Sequence, residues 1–244
     1  MGNSVKLEVW GDYASFNRPE MKVERVSYEV MTPSAARGIL EAIYWKPEMR
    51  WVIDAIHVLR PIRFTSLRRN EVSRKISAAH VKRAMASRAG PPLGIEVGDP
   101  TVRVQRAALV LRDVRYGIEA HVEVLRPERV DGRANSDSLA KHLEMFKRRA
   151  ARGQYFHHPY LGTREFPAEW ELVERFAACP AELLGERDLG LMLHDVVFKP
   201  DPEGSVIESS RGTRCSAQPR FFAARMRDGV IAVPPPAFDG GSSS

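Results

Sequence analysis

The sequence predicts an α+β fold, and three observations carry that reading. Several segments alternate apolar and polar residues with the period of a half-buried strand. Two others repeat their apolar residues at helical spacing. With one strongly basic stretch set aside, the segments follow one another as strand, helix, strand, strand, helix, strand, and more strands come behind them.

Each element has its own signal. VKLEVWGDYA, around residues 4–13, alternates as a strand does. Thr32 and Pro33 then open a helix, as N-cap and first helical residue. Ala36, Ile39, Leu40 and Ile43 line one side of it, and Pro47 stops it, because the residue before a proline resists helical geometry. WVIDAIHVLRPIRFT (51–65) resumes a strand pattern with a break at Pro61. VRVQRAALVL (102–111) and VRYGIEAHVEVL (114–125) are two further strands. A basic amphipathic helix is expected over about 137–152, a turn at Gly153, and a strand within 163–173. This order is the βαββαβ plan of ferredoxin-like and RNA-recognition (RRM-like) domains. It assigns residues 1–175 to one domain with a basic insertion at about 66–100. A small antiparallel β-rich C-terminal domain is expected over 176–234. It holds a strand at 189–198, a polar loop at 200–219 and a hairpin turning at Asp228-Gly229. PPPAFDGGSSS reads as a tail, disordered over 235–244.

The 244 residues are 43% hydrophobic and 28% charged, which is the balance of a globular protein. No apolar run approaches the ~18 residues of a spanning helix, and the N-terminus lacks the apolar core of a signal peptide. A cytoplasmic chain with no membrane partner is expected. HExxH, Walker, GxGxxG, GxSxG and EF-hand patterns are missing. Cys179 and Cys215 cannot build a zinc quartet, and the acids form no evident magnesium cluster. No metal and no cofactor is therefore expected, and any phosphodiester cleavage would run on acid–base chemistry.

A net charge of +6 favours a polyanionic partner, and its distribution sharpens the point. Between Arg60 and Arg88 stand nine basic residues against one acid, Glu71. Arg60, Arg63, Arg68, Arg69, Arg74, Lys75, Lys82 and Arg83 are expected to contact RNA phosphates; the alternative is a solvated face. The charge alone also leaves non-specific DNA binding open.

The helix DSLAKHLEMFKRRAA raises a second question. Its apolar stripe is Leu139, Leu143, Phe146 and Ala150, and His142 falls on that side. Pattern alone makes His142 a half-buried core histidine, with Lys141 a solvated neighbour. In YFHHPYLG, His157 and His158 point apart, which disfavours a metal site. Tyr155, Phe156 and Tyr160 either pack within the loop or stack on unpaired bases.

Four stretches carry a resemblance to a known family. They are VKLEVWGDYASFNRPEMKVERVSYEVMTPSAARGILEAIYWKP, RPIRFTSLRRNEVSRK, AKHLEMFKRRAARGQYFHHPYLGTREFPAEWELV and DLGLMLHDVVF. Together they resemble the precursor-RNA endoribonucleases of type I-C CRISPR systems (Cas family five, subtype d, of the RAMP superfamily). The resemblance implies an RRM-like domain that cuts CRISPR repeat precursor RNA at the base of a hairpin. It also implies that the protein stays on the 5′ handle of the mature guide RNA, in a surveillance complex with backbone and large subunits. The family's tyrosine and lysine–histidine pair fall at Tyr44, Lys141 and His142. Lys147, Arg148 and Arg149 then become expected backbone contacts, with Phe156 and His157 a platform for the RNA. The expected chemistry is metal-independent attack by the 2′-hydroxyl, leaving a 2′,3′-cyclic phosphate and a 5′-hydroxyl. The alternative is a subunit that binds the guide handle without cutting.

Overall fold

A computed structural model describes residues 4–21, 24–86, 93–125, 138–201, 203, 207–208 and 214–235. Most of the expected tail, residues 87–92 of the insertion and Asp137 of the later helix lie outside these. In chain order the elements are β1 (Ser4–Ala14), β2 (Arg25–Val26), α1 (Pro33–Ile43), β3 (Met49–Val58), β4 (Phe64–Val72), α2 (Ala78–Ala86) and β5 (Arg103–Val124). There follow α3 (Leu139–Ala151), β6 (Glu169–Leu172), β7 (Glu186–Pro200), β8 (Ile207–Glu208), β9 (Arg214–Arg227) and β10 (Val230–Ala232).

One mostly antiparallel sheet runs β6-β1-β5-β3-β10-β9-β7, with β2 and β4 also on β5 and β8 on β9. The fold is α+β. One face of the sheet is apolar because its strands alternate: Leu7 and Val9 of β1, Trp51 of β3, and Tyr116, Ile118, Ala120 and Val122 of β5 are buried. Helix α1 covers it through Ala36, Ile39, Leu40 and Ile43, and α3 through Leu143, Phe146 and Ala150. Phe146 meets Trp51 edge-on with ring centres 4.7 Å apart, worth about 0.5–1.5 kcal/mol beyond the area buried.

The other face carries Lys6, His57, Gly117 and Glu119, and the chain after β6 lies over it. The Phe176 ring packs at a tilt of 43° against His57, with ring centres 4.5 Å apart. It also occupies the space a side chain at position 117 would need, since a Cβ there would stand 2.6 Å from the ring. Burial beside this ring pushes the His57 imidazole below its ordinary pKa.

Several expectations hold. Thr32 caps α1 by accepting from the Ala35 N–H at 3.3 Å, and Asp228-Gly229 turns the β9–β10 hairpin. Two need correction, and one segment gains an element. The two strands expected at 102–111 and 114–125 are one strand of 22 residues, because Asp113 adopts a left-handed φ of 53° without ending the pairing. The start of the basic insertion, for which the sequence predicts no element, is a strand: β4 pairs with β5 from Phe64↔Leu111 to Val72↔Arg103. Its exposed residues alternate with half-buried ones, and the density of charge hides this ribbon pattern in the sequence. The polar loop expected at 200–219 is also shorter. β9 already starts at Arg214, where pairing with β7 overrides a composition poor in strand formers.

Gly117→Ala should therefore force the Phe176 ring aside and lower stability by about 1–3 kcal/mol. The readout is the urea midpoint, and Phe176→Leu in the same chain should recover part of the loss. An unchanged midpoint in Gly117→Ala would mean that Phe176 does not seat on this glycine.

Candidate active site

Helix α1 ends at Tyr44, whose backbone turns extended (φ −154°, ψ 125°) and swings its side chain away from the helix line. Two bonds hold it there. The Tyr44 N–H donates to the Leu40 carbonyl at 2.9 Å, and the Tyr44 carbonyl accepts from Trp51 Nε1 at 2.9 Å. Helix α3 starts at its own cap, Ser138, whose hydroxyl accepts from the Lys141 N–H at 3.3 Å. That start places His142 in the first turn, on the side facing the sheet.

The two elements meet. The Tyr44 hydroxyl lies 2.9 Å from His142 Nδ1, joining residues 98 positions apart in the chain. The pair is covered: Tyr44 is 2% exposed and His142 1%. Lys141, one position round the helix, is exposed. The structure thus brings two of the three predicted cleavage residues into a hydrogen bond, with the third at the surface beside them.

Arg149, expected as a phosphate contact, turns inward. Its guanidinium lies over the Tyr44 ring at 5.4 Å, and Nη1 donates to the Ile43 carbonyl at 3.3 Å. Lys147 and Arg148 of the same helix remain exposed. Beyond the helix, the Phe156 N–H donates to the Ala42 carbonyl at 2.8 Å and ties the aromatic loop to α1. The loop then divides. Tyr155 packs edge-on to Trp170 and His158, whereas Phe156 stands 86% exposed beside an exposed His157. His157, Tyr160 and Arg164 line an open groove of about 510 Å³ with Phe156.

The basic residues of the insertion separate in the same way. Arg63, Arg68, Arg74, Lys75, Lys82 and Arg83 are exposed. Arg60 pairs with Asp113, and Arg69 pairs with Glu165 while lying over the Phe166 ring at 5.4 Å. The hydrogen bond from Arg69 holds the Glu165 carboxyl below the usual carboxylate range. Among the described residues, no group of three or more His, Cys, Asp or Glu side chains is placed to hold a metal ion. No helix among them is long and apolar enough to cross a membrane.

Comparison with known proteins settles the family. The family model described as CRISPR-associated protein (Cas_Cas5), subtype Cas5d, matches residues 4–234. The chain belongs to the Cas5d family. A relative from Mannheimia succiniciproducens, named CRISPR pre-crRNA endoribonuclease Cas5d, is 49% identical over 239 residues and covers 96% of each chain. One of the same name from Thermus thermophilus is 45% identical over 234 residues, 94% of this chain and 91% of its own. Two solved structures share the Cas5d member's fold. A functionally uncharacterized Streptococcus mutans protein has a TM-score of 0.61 at 21% identity, with coverage of 95% and 92%. A CRISPR-associated protein has a TM-score of 0.57 at 23% identity, with coverage of 94% and 90%.

Sequence reading missed the framing of the site in this Cas5d chain. Trp51 anchors the Tyr44 backbone and Arg149 covers its ring, and both depend on contacts between elements. One signal was available for Arg149: it lies seven residues, about two turns, after His142 and so on the same side of α3.

Tyr44→Phe deletes one end of a buried hydrogen bond and should lower unfolding stability by about 1–3 kcal/mol. Lys141→Ala, at an exposed position, should stay within about 0.5 kcal/mol of the parent. Urea denaturation of the two variants side by side checks both. Equal stabilities would mean that the Tyr44–His142 bond does not form.

Proposed function

We propose that this chain is an endoribonuclease specific for CRISPR repeat precursor RNA, which it cuts at the base of the repeat hairpin. It stays on the 5′ handle of the mature guide as a subunit of a type I-C surveillance complex, with that complex's backbone and large subunits as partners. Family membership and two relatives named pre-crRNA endoribonucleases support the substrate class. The observation that carries the cleavage site is the Tyr44 hydroxyl 2.9 Å from His142 Nδ1. The fold reading supports RNA as the ligand: β1, α1, β3, β5, α3 and β6 follow the βαββαβ plan, with sheet order fourth, first, third, second. On this reading residues 1–175 form the ferredoxin-like, RRM-like domain, and 176–234 a smaller module attached through β10 on β3.

The chemistry is internal transesterification without a metal. The 2′-hydroxyl attacks the adjacent phosphorus, the bond to the 5′-oxygen breaks, and a 2′,3′-cyclic phosphate forms. The Tyr44–His142 pair takes the 2′ proton and returns one to the departing 5′-oxygen. The Lys141 ammonium meets the charge that grows on the non-bridging oxygens. RNA reaches the pair past the first turn of α3, where Ser138 and Lys141 are exposed.

The RNA does not follow the open sheet face, the usual platform of RNA-recognition domains, because Phe176 lies on it. It follows α3 instead. Lys147 and Arg148 lead from the cleavage pair to Phe156 and His157, and the Arg69–Glu165 pair joins the same region to the β4 ribbon. From Arg106, opposite Arg69, to Val122, opposite Trp51, β5 runs about 53 Å at ~3.3 Å per residue. The ribbon and the cleavage pair therefore hold different parts of one RNA. Non-specific DNA binding would use the same ribbon.

Burial of Tyr44 and His142 favours a second reading, a cytoplasmic guide-handle binder that does not cut. One assay separates the two. The protein's own repeat hairpin should be cut in EDTA, and a single 2′-deoxy substitution at the scissile position should abolish cutting without weakening binding. Cutting of the deoxy substrate would reject internal attack. Dependence on a divalent ion would reject metal-free chemistry, and no cutting at all would leave the handle-binding reading.

Neutralising Arg68, Arg74 and Lys75 together should weaken hairpin binding uniformly and flatten its salt dependence, by about one in slope per lost phosphate contact. Affinity measured across a salt series checks this. A parallel, unshifted plot would remove the ribbon from the interface.

A further inference from the structure

We propose that Arg149 is a positioning residue for the Tyr44 phenol rather than a contact to the RNA backbone. The inference rests on the reading of Tyr44 and His142 as part of the cleavage site. Helix α3 presents both gripping groups from one side, seven residues apart. His142 holds the Tyr44 hydroxyl at 2.9 Å, and Arg149 lies over the ring at 5.4 Å. A guanidinium over an aromatic face is attracted to the ring's negative quadrupole, and more strongly where water is displaced. Here Tyr44 is 2% exposed.

The second contact gives the grip its direction. Arg149 Nη1 donates to the carbonyl of Ile43, the residue just before Tyr44, at 3.3 Å. That carbonyl is one of the unpaired acceptors at the end of α1, where a cation also complements the helix dipole. Arg149 therefore fixes the end of α1 and the plane of the phenol together. The Arg149 carbonyl is engaged as well, accepting from the Arg152 and Gln154 N–H groups. A side chain bound in these two ways is aimed at α1, unlike its exposed neighbours Lys147 and Arg148.

The test uses the full chain, the RNA hairpin of its own CRISPR repeat, and single-turnover cleavage at saturating enzyme. Arg149→Gln keeps an N–H donor for the Ile43 carbonyl and removes the cation. It should slow cleavage about 10-fold, with hairpin affinity and its salt slope unchanged. Arg149→Lys should restore part of the rate. In a Tyr44→Phe background, Arg149→Gln should add no further loss, because the phenol it positions is gone. Melting curves for every variant confirm folding; if Arg149→Gln unfolds, the comparison is made between Arg149→Lys and the parent in both backgrounds.

Three results would overturn the proposal. A weaker affinity with a flatter salt slope and a parental rate would return Arg149 to the phosphate contacts. An undiminished further loss in the Tyr44→Phe background would make its role general rather than directed at the phenol. Parental cleavage by Tyr44→Phe alone would remove Tyr44 from the site, and that failure shows before Arg149 is changed.

Discussion

The structure depends on one uninterrupted strand. β5 runs 22 residues and pairs with β1, β3, β4 and the short β2. Its second half, from Val114, supplies the central apolar row of the sheet, and its first half forms a ribbon with β4. The two halves meet at Asp113, whose left-handed backbone lies within the ladder to β1, while on the other edge the partner changes from β3 to β4. Without that continuity the basic ribbon would be tied to the frame that carries the helices only through residues 59–63 and side-chain pairs such as Arg69–Glu165. Because the ladder is continuous, the orientation of the ribbon relative to the helices is built into the backbone.

The Tyr44–His142 bond is a consequence of that frame. α1 and α3 both lie on the apolar face that β5 centres, α1 mainly against β3 and α3 against β5 and β6. Trp51 connects them: its ring meets Phe146 of α3, and its indole N–H holds the Tyr44 carbonyl at the end of α1. Sheet, helix end and phenol are coupled through one indole. This explains how residues 98 apart come within hydrogen-bond distance although neither helix makes the contact alone.

What was legible in the sequence follows from how local each signal is. The Thr32 cap, the Asp228-Gly229 turn and the two amphipathic helices need only a few neighbouring residues, and they stand where they were expected. The long strand was misread because Arg112 and Asp113 look like a turn, and only pairing with β1 keeps the chain extended through them. The β4 ribbon gave no local signal for a related reason. Its partner lies about 40 residues away, and its charge density resembles that of a loop. At the site, residue types and the helical side of His142 were readable. The partner of Nδ1 and the inward turn of Arg149 were not, since both belong to the docking of α3 on α1.

The same distinction applies to charge. Counting arginines treats every guanidinium as available to a phosphate, but affinity grows only with groups that gain a partner on binding. Arg60 already faces Asp113, Arg69 already faces Glu165, and Arg149 is occupied by a ring and a carbonyl. A phosphate displacing any of these exchanges one polar partner for another, so the net gain is small. Arg68, Lys75, Lys82, Arg83 and Lys147 stand exposed, and on them a phosphate replaces water and counterions. The paired arginines have a different use: they tie the ribbon, the aromatic loop and the helices together. The basic surface is therefore two sets of residues, one that holds the protein's own surface in shape and one left open to solvent, and composition reports only their sum.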